Sequence, residues 1–452
     1  MKVPLSFLLT GLLVLGACSD RDPVSSTSPG EPSGKRIGSS PARSAPVAGL
    51  DESRAGMEAP GFEAGALGAV EIGASKAISI RSLFSHTVVP GLATGLRNSL
   101  ELAAGDYGDI HGREVDLGES LDAMCSGEGG RAAAESVIAE GQVVGVIGTS
   151  CSGAAVEASP LLSEAGLVMI SPSNTSPALT SDLAGNASPN YHAGYFRTAN
   201  NDLYEANAVA DFAYNELGLR KVVTLDDGDP YTMGLTVAFG SAFSDLGGEV
   251  PVASRIEKGT TDMADILEGF AEAGPDGIYF PIFPAEGEHF AGQAQGTEGL
   301  EDATLLTSSA LLLTEFLSLP QSVGIYCAGP EPAVGSNVNE ATGKSVDDVL
   351  EAFSAAYGES PTTPYWVHSY DAGTLLFSAI ESAGEVVDGT LYVDRAALRE
   401  AIGATEGFEG LIGTLTCDDF GDCGTGAVNI YHHTDPEITD PAQLPIVYQF
   451  AP

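Results

Sequence analysis

Short apolar runs alternate along most of this chain with longer stretches in which apolar residues recur every three or four positions, the alternation of strand and helix periods. The clearest instance is Val144 to Thr180, VGVIGTSCSGAAVEASPLLSEAGLVMISPSNTSPALT. Val144–Ile147 is an apolar run ending at Gly148, and Ser150, Cys151, Ser152 and Gly153 form a turn. An amphipathic segment leads to Gly166, a second apolar run covers Leu167–Ile170, and Ser171–Ser176 is rich in hydroxyls with one amide. This order predicts a βαβ unit with parallel strands. Both polar loops then leave the carboxyl ends of neighbouring strands, the edge where open α/β sheets bind ligands. The helix after Ser152 and a short one after Ser176 would aim free N–H groups at that edge. Ser152, Ser173, Asn174 and Thr175 would add neutral donors, which suits the polar or anionic head of a small molecule.

The same alternation extends in both directions. Upstream it predicts a strand at Ala77–Ser82, a helix at Gly91–Gly105, a strand at Val115–Leu117 and a helix at Gly129–Gly141. After Tyr195–Thr198 it restarts, with a helix opening at Asp202 as N-cap and running to about Leu217. Strands follow at Lys221–Leu225, Glu249–Ile256, Gly277–Phe280 and Thr304–Thr307, with helices at Thr232–Leu246 and Met263–Ala273. The last third predicts helices at Val346–Tyr357, Ser369–Ala383 and Ala396–Gly403. Strands are predicted there at Leu411–Thr416, Ala427–Tyr431 and Pro445–Phe450. This is an α/β chain of two doubly wound, Rossmann-like lobes.

Within the central stretch, Val146-Ile147-Gly148, Cys151-Ser152, Glu164-Ala165-Gly166, Met169-Ile170-Ser171-Pro172 and Thr175 keep one order and spacing. That block resembles the signature of the type I periplasmic binding proteins, the leucine/isoleucine/valine-binding branch, and the likeness continues more weakly from about Ala77 to the C-terminus. The resemblance implies two lobes joined by three hinge crossovers near residues 198, 325 and 428. Lobe 1 is then 76–198 and 326–428, and lobe 2 is 199–325 and 429–452. It implies a solute trap that delivers its ligand to an ABC permease, with no catalysis and no cofactor, acting as a monomer. It places Phe84, in the loop region after the first strand, at the cleft, with Tyr231 and Phe283 packing on the ligand from the second lobe. It also implies a Cys125–Cys151 disulfide, which would stabilise the fold by roughly 3–4 kcal/mol. In the relatives an ammonium is held by a carboxylate at a second-lobe strand end, and here the matching position is Ser309. A serine cannot neutralise a desolvated ammonium. Either Asp202, Asp229 or Glu286 replaces that carboxylate, or the ligand is a carboxylate, amide or other polar molecule rather than a simple α-amino acid. The second alternative is favoured.

Composition narrows the partners. The 452 residues carry 19 Lys plus Arg against 62 Asp plus Glu, a formal charge of −43, so nucleic acid is excluded as a partner. Such a chain also repels anions at long range, so a carboxylate ligand must be captured by local N–H and O–H groups. Met1-Lys2, the apolar Val3–Leu15 and Leu15-Gly16-Ala17-Cys18 resemble a bacterial lipoprotein signal, 1–17, with lipid on Cys18. Such an anchor implies a periplasmic or surface protein that touches the membrane through its lipid alone. Residues 18–75, rich in Ser, Pro, Gly and Ala, predict a flexible tether. Cys417 and Cys423 bracket a turn-like sequence and predict a local disulfide, leaving Cys327 without a partner.

Gly148–Gly153 is not G-x-S-x-G, because its second glycine is displaced by one position, so a serine hydrolase is not expected. Asp226–Asp229 and Asp418–Asp422 lack the ligand pattern of a calcium loop and read as polar turns, and His432-His433 with Asp435 reads as a strand end; no metal site is expected. A ligand-sensing module on the same fold remains the alternative to transport.

Overall fold

The computed structural model describes residues 61–331 and 335–452. The signal 1–17, Cys18 and the tether up to residue 60 lie outside the described residues. The first part of the chain forms β1 (Ala69–Ile72), β2 (Ile78–Phe84), α1 (Pro90–Tyr107), β3 (Val115–Asp116), β4 (Leu121–Asp122), α2 (Gly127–Glu140), β5 (Val143–Gly148), α3 (Ser152–Glu164), β6 (Val168–Ser171) and β7 (Tyr195–Arg197). Strands β3-β2-β5-β6-β7 pair in that order, all parallel, with β4 also on β2. Every residue of β5 is buried, as a central parallel strand covered on both faces must be. Each helix carries local reasons to form. Pro90 opens α1, whose Ala93, Leu96, Leu100 and Ala103 make one buried stripe. The Ser126 hydroxyl caps α2 by accepting from Gly129 N–H, and Gly141 closes it at φ 73°, a left-handed conformation that suits glycine.

The second part forms α4 (Asp202–Asp211), β8 (Val222–Asp226), α5 (Pro230–Asp245), β9 (Ala253–Arg255), α6 (Ala264–Ala273), β10 (Gly277–Tyr279), α7 (Pro284–Ala294), β11 (Thr304–Thr307), α8 (Thr314–Leu317) and β12 (Tyr326–Gly329). Then come α9 (Val346–Tyr357), α10 (Trp366–Ala383), β13 (Gly384–Val387), β14 (Thr390–Asp394), α11 (Arg395–Gly403), β15 (Glu406–Gly410), β16 (Gly413–Thr416), β17 (Val428–His432) and β18 (Ile446–Phe450). The second sheet runs β18-β17-β12-β11-β10-β8-β9, parallel from β9 to β12, with β17 and β18 antiparallel. Helices α9 and α10 return to the first sheet: Val346, Val349, Leu376 and Ile380 share one core with Ile80 and Ile147. A separate core joins Val223, Ile278, Phe290 and Cys327.

Three sequence expectations change. Tyr326–Gly329 pairs with β11 and β17, so this segment belongs to the second sheet and the second crossover falls after Gly329. An apolar run of that length fits either sheet, and only its neighbours decide. Residues 61–75 are not all tether. Val70 and Ile72 are buried, β1 pairs antiparallel with β14, and Phe62 stacks on Tyr392 with ring centroids 4.6 Å apart. The alternation in Val70-Glu71-Ile72 is too short to stand out from a Gly- and Ala-rich background. Finally, Asn201 caps α4, its side chain accepting from Leu203 N–H at 3.0 Å; Asp202 is the first helical residue and is buried.

Candidate ligand-binding cleft

The β5–α3 and β6–β7 loops are tied together by their own hydroxyls. Ser171 Oγ donates to Thr149 O at 2.9 Å, Ser173 Oγ donates to Ser150 O at 3.0 Å, and Ser152 Oγ accepts from Ser176 N–H at 3.3 Å. Ser150 Oγ accepts from Ser85 N–H at 3.1 Å, and Ser85 Oγ accepts from Cys125 N–H at 2.8 Å. The Cys125–Cys151 disulfide closes the same corner, and Cys417–Cys423 is the second disulfide. The guanidinium of Arg197, fully buried, anchors the far side: it donates to Asn174 O, Ser176 O and Thr180 Oγ1 and pairs with Asp422. A buried guanidinium needs such a complete set of acceptors.

These loops form one wall of a cleft of about 430 Å³, counted out to where it opens to solvent. Ser150, Cys151, Ser152 and Ser173 line it from the first sheet, with Val89 and Leu92 from α1 and Thr363 and Tyr365 ahead of α10. Tyr231, Phe283, Ser309, Ala310 and Leu313 line it from the second. The mixture of aromatic walls with a few convergent polar groups is typical of small-molecule sites. The Tyr231 and Phe283 rings lie 5.6 Å apart at 44°. Tyr231 donates to Ser308 Oγ at 2.7 Å, and Tyr365 donates to Ser309 Oγ at 3.0 Å across the cleft. The α3 helix begins at Ser152, so its first-turn N–H groups sit beside the cleft.

Contacts between the two walls hold them close. Lys258 Nζ donates to Cys125 O at 3.0 Å and to Asp229 Oδ2 at 2.8 Å, and Ser176 Oγ donates to Pro230 O at 3.0 Å. Gly153 permits this approach, because a Cβ there would lie 2.4 Å from Asp229 Oδ2.

Of the residues expected at the site, Ser152, Ser173, Tyr231, Phe283 and Ser309 line the cleft. Phe84 does not: it is fully buried in the first core with Ile80, Leu96 and Tyr370, because the last residue of β2 still points inward. Asn174 and Thr175 do not line it either. Asn174 Oδ1 accepts from Thr149 Oγ1 at 3.2 Å behind the loop, and the Thr175 hydroxyl is buried beside Asp202. Loop residues that alternate in direction cannot all face one ligand. Asp229 caps α5 by accepting from Tyr231 N–H, and Glu286 Oε1 accepts from Gly259 N–H at 2.6 Å, so neither reaches the cleft. Two residues escaped the sequence reading. Tyr365 lies ahead of a helix and carries no local motif. Glu205, whose Oε1 accepts from Ser309 N–H at 3.4 Å, shares a buried face of α4 with Ala206 and Val209, a spacing that could have exposed it. In the first acidic turn Asp226 pairs with Arg255 and Asp227 accepts from Thr232, and among the described residues no group of three or more His, Cys, Asp or Glu is placed to hold a metal.

Known proteins share this fold. The leucine/isoleucine/valine-binding protein homolog 3 of Brucella melitensis is 27% identical over 332 residues, covering 73% of this chain and 83% of that protein. The leucine-binding protein of Thermotoga maritima superposes with a TM-score of 0.70 at 23% identity, over 83% of this chain and 99% of that one. A solute-binding protein of an R. palustris ABC transporter, in complex with benzoate, superposes with a TM-score of 0.67 at 19% identity, over 83% and 97% of the two chains. The model of the periplasmic binding protein family matches residues 88–427, three quarters of the sequence, and this chain belongs to that family.

Proposed function

We propose that the chain is the solute-binding component of an ABC importer, held at a bacterial membrane by lipid on Cys18. Its two lobes close over a small carboxylate with an apolar or aromatic body. The observation that carries the ligand class is the cleft lining, which holds hydroxyls, aromatic rings and aliphatic side chains but no Asp, Glu, Lys, Arg or His. The carboxylate is held by the first turn of α3 together with the Ser152 hydroxyl, which accepts from Ser176 N–H and keeps its own proton to donate, a set that binds an anion without needing a counter-charge. Tyr231, Phe283 and Tyr365 enclose the body. An ammonium in the same space would meet no charged partner on the lining, and burying an unpaired charge costs several kcal/mol. Only the closed form touches ligand from both lobes, so binding shifts the open–closed equilibrium toward closure. The relatives divide along this line, since one structural neighbour holds benzoate and others hold isoleucine or leucine.

Calorimetric titration separates the ligand classes. Benzoate and 4-hydroxybenzoate are expected to bind, with leucine, isoleucine and valine weak or inert. Tight binding of the free amino acids with the benzoates inert overturns the ligand class. For the anchor, Cys18→Ala is expected to release the protein from membranes on fractionation.

A further inference from the structure

The polarity of the cleft at Ser309 is governed by a group that does not line it. Glu205 is fully buried on α4; its Oε1 accepts from Ser309 N–H at 3.4 Å, and its Oε2 has no hydrogen-bond partner. Asp202, one helical turn earlier, is equally buried, with both carboxyl oxygens unpartnered. The Tyr279 hydroxyl, from β10, is a third buried and unpartnered group in this cluster. In front of them stand Tyr231, Ser308, Ser309 and Tyr365, whose hydroxyls are hydrogen-bonded to one another. Three of these four line the cleft. A polar network therefore runs from Glu205, with Asp202 buried beside it, to the surface that meets the ligand.

Among the described residues no cation in this network neutralises the pair. Arg197, on the hinge side of Asp202, is engaged by Asp422. The titratable groups facing Glu205 are Asp202 on its own helix, Tyr231 from α5, Tyr279 from β10, Cys327 from β12 and Tyr365 ahead of α10. All are acids. Asp211, farther along α4, is turned away to accept from the Tyr448 hydroxyl of β18. His368, bonded to Thr198 O at the first crossover, is pushed by burial to about 4 and is neutral at ordinary pH. Burial, then the neighbouring Asp202, raises the Glu205 carboxyl well above the usual range. Burial likewise raises Asp202 to about 8, with Thr175 and Arg197 pulling the other way.

We infer that Glu205 is protonated when the lobes close over an anionic ligand, so that capture takes up one proton from solvent. This rests on the ligand class proposed above. The geometry supplies the linkage. Glu205 and Ser309 sit in one lobe and Tyr365 in the other, so closure seals the carboxyl from water. A ligand anion next to Ser309 then adds like charge beside it. Both effects favour the neutral acid, whose O–H supplies a donor that the carboxylate lacks. The sign follows. Below the Glu205 pKa of the open form, affinity is flat. Between the open and the ligand-bound values it falls with rising pH, by up to about tenfold per pH unit for one proton, and then levels. A ligand bearing an ammonium would do the reverse, drawing the proton off and gaining affinity as pH rises.

The experiment is calorimetry of benzoate binding to the full chain from about pH 6 to about pH 9, in buffers of different ionisation enthalpy, which count the proton. The wild type is expected to take up a proton and to lose affinity with pH. Glu205→Gln, which imitates the neutral acid, is expected to bind with a flat profile and no uptake. Asp211→Asn, a carboxyl on the same helix, is expected to behave as wild type. Benzoate binding without uptake, or with undiminished uptake in Glu205→Gln, overturns the inference and leaves the ligand class standing. If benzoate is inert and leucine binds, the ligand class fails and the inference falls with it, because no ligand anion then adds charge beside Ser309.

Discussion

Gly130→Ala tests whether the packing of α2 on α3 sets the position of the cleft wall. A Cβ at Gly130 would lie 2.1 Å from Ala154 O and 2.8 Å from its carbonyl carbon, both backbone atoms of α3. Reaching even a 3.0 Å contact requires the helices to part by about 0.9 Å. They cannot part freely, because the Cys125–Cys151 disulfide joins the chain just before the start of each helix. Overpacking of this kind costs about 1–3 kcal/mol, and the better helix propensity of alanine returns up to ~1 kcal/mol, so a net loss of about 1–2 kcal/mol is expected. The same displacement moves Ser152, two residues before Ala154. Its 3.3 Å hydrogen bond from Ser176 N–H is already long and would be lost. The displaced Ser152 hydroxyl would then miss its hydrogen bond to the ligand, worth about 1 kcal/mol, so affinity should fall roughly five- to tenfold.

Gly240→Ala is the matched control. It also sits in a helix, but a Cβ there meets nothing within 4 Å. It should raise stability by about 0.5–1 kcal/mol and leave affinity unchanged. Thermal melting and calorimetry on the two variants read both quantities. A Gly130→Ala protein with wild-type melting temperature and wild-type affinity would refute the reasoning.

Three further outcomes are expected. Ile72→Ala should lower stability by about 2–3 kcal/mol, the low end for a buried isoleucine because a short edge strand can relax, and a chain beginning at Lys76 should melt lower than one beginning at Gly61; equal melting of all three would return 61–75 to the tether. Lys258→Met breaks the bond to Cys125 O and leaves the buried Asp229 without its cation; with the lysine nearly half exposed, a cost of about 1 kcal/mol and a roughly fivefold weaker ligand affinity are expected, and unchanged affinity would show that the bridge does not hold the closed form. Burial raises Asp202 in the folded chain to about 8, so this carboxyl favours folding at low pH and loses that contribution as pH rises through about 8. Asp202→Asn should therefore melt higher than wild type near pH 8 and close to it near about pH 4, and parallel pH profiles would contradict this.

Periodicity made the parallel units legible, and the structure shows where it fails. Thr304–Thr307 and Val346–Tyr357 have the bounds their patterns predict, since each is a complete apolar run or a complete helical stripe between breakers. β13 and β14 were not legible: the hairpin turns at Asp388 and Gly389 within a segment of mixed polarity, and β14 is buried because β1 arrives from far away in sequence. Chain order could not assign Tyr326–Gly329 to a sheet for the same reason. At the cleft, residue type and loop position pointed to Ser152 and Ser173, and the family resemblance pointed to Tyr231, Phe283 and Ser309; all five line the cleft. They could not say which of the successive side chains Ser173, Asn174 and Thr175 turns outward, because that depends on Ser171, Thr149 and Arg197 holding the loop from behind.

A charge of −43 and the anionic ligand proposed above can be reconciled by distance. Surface carboxylates act through water and salt, and at physiological ionic strength their field decays over about 8 Å. They slow the approach of an anion more than they weaken its bound state. Inside the cleft the balance is local. The buried acidic groups behind Ser309, Asp202 and Glu205, are ones that burial holds toward the neutral form, while the guanidinium of Arg197 is engaged by Asp422. What remains to meet a carboxylate is a set of hydroxyls and helix N–H groups, donors whose strength does not depend on the protein's net charge. An acidic exterior and a neutral, donor-rich interior are therefore compatible, because desolvation alone can remove the charge from the carboxyls that the cleft could not tolerate.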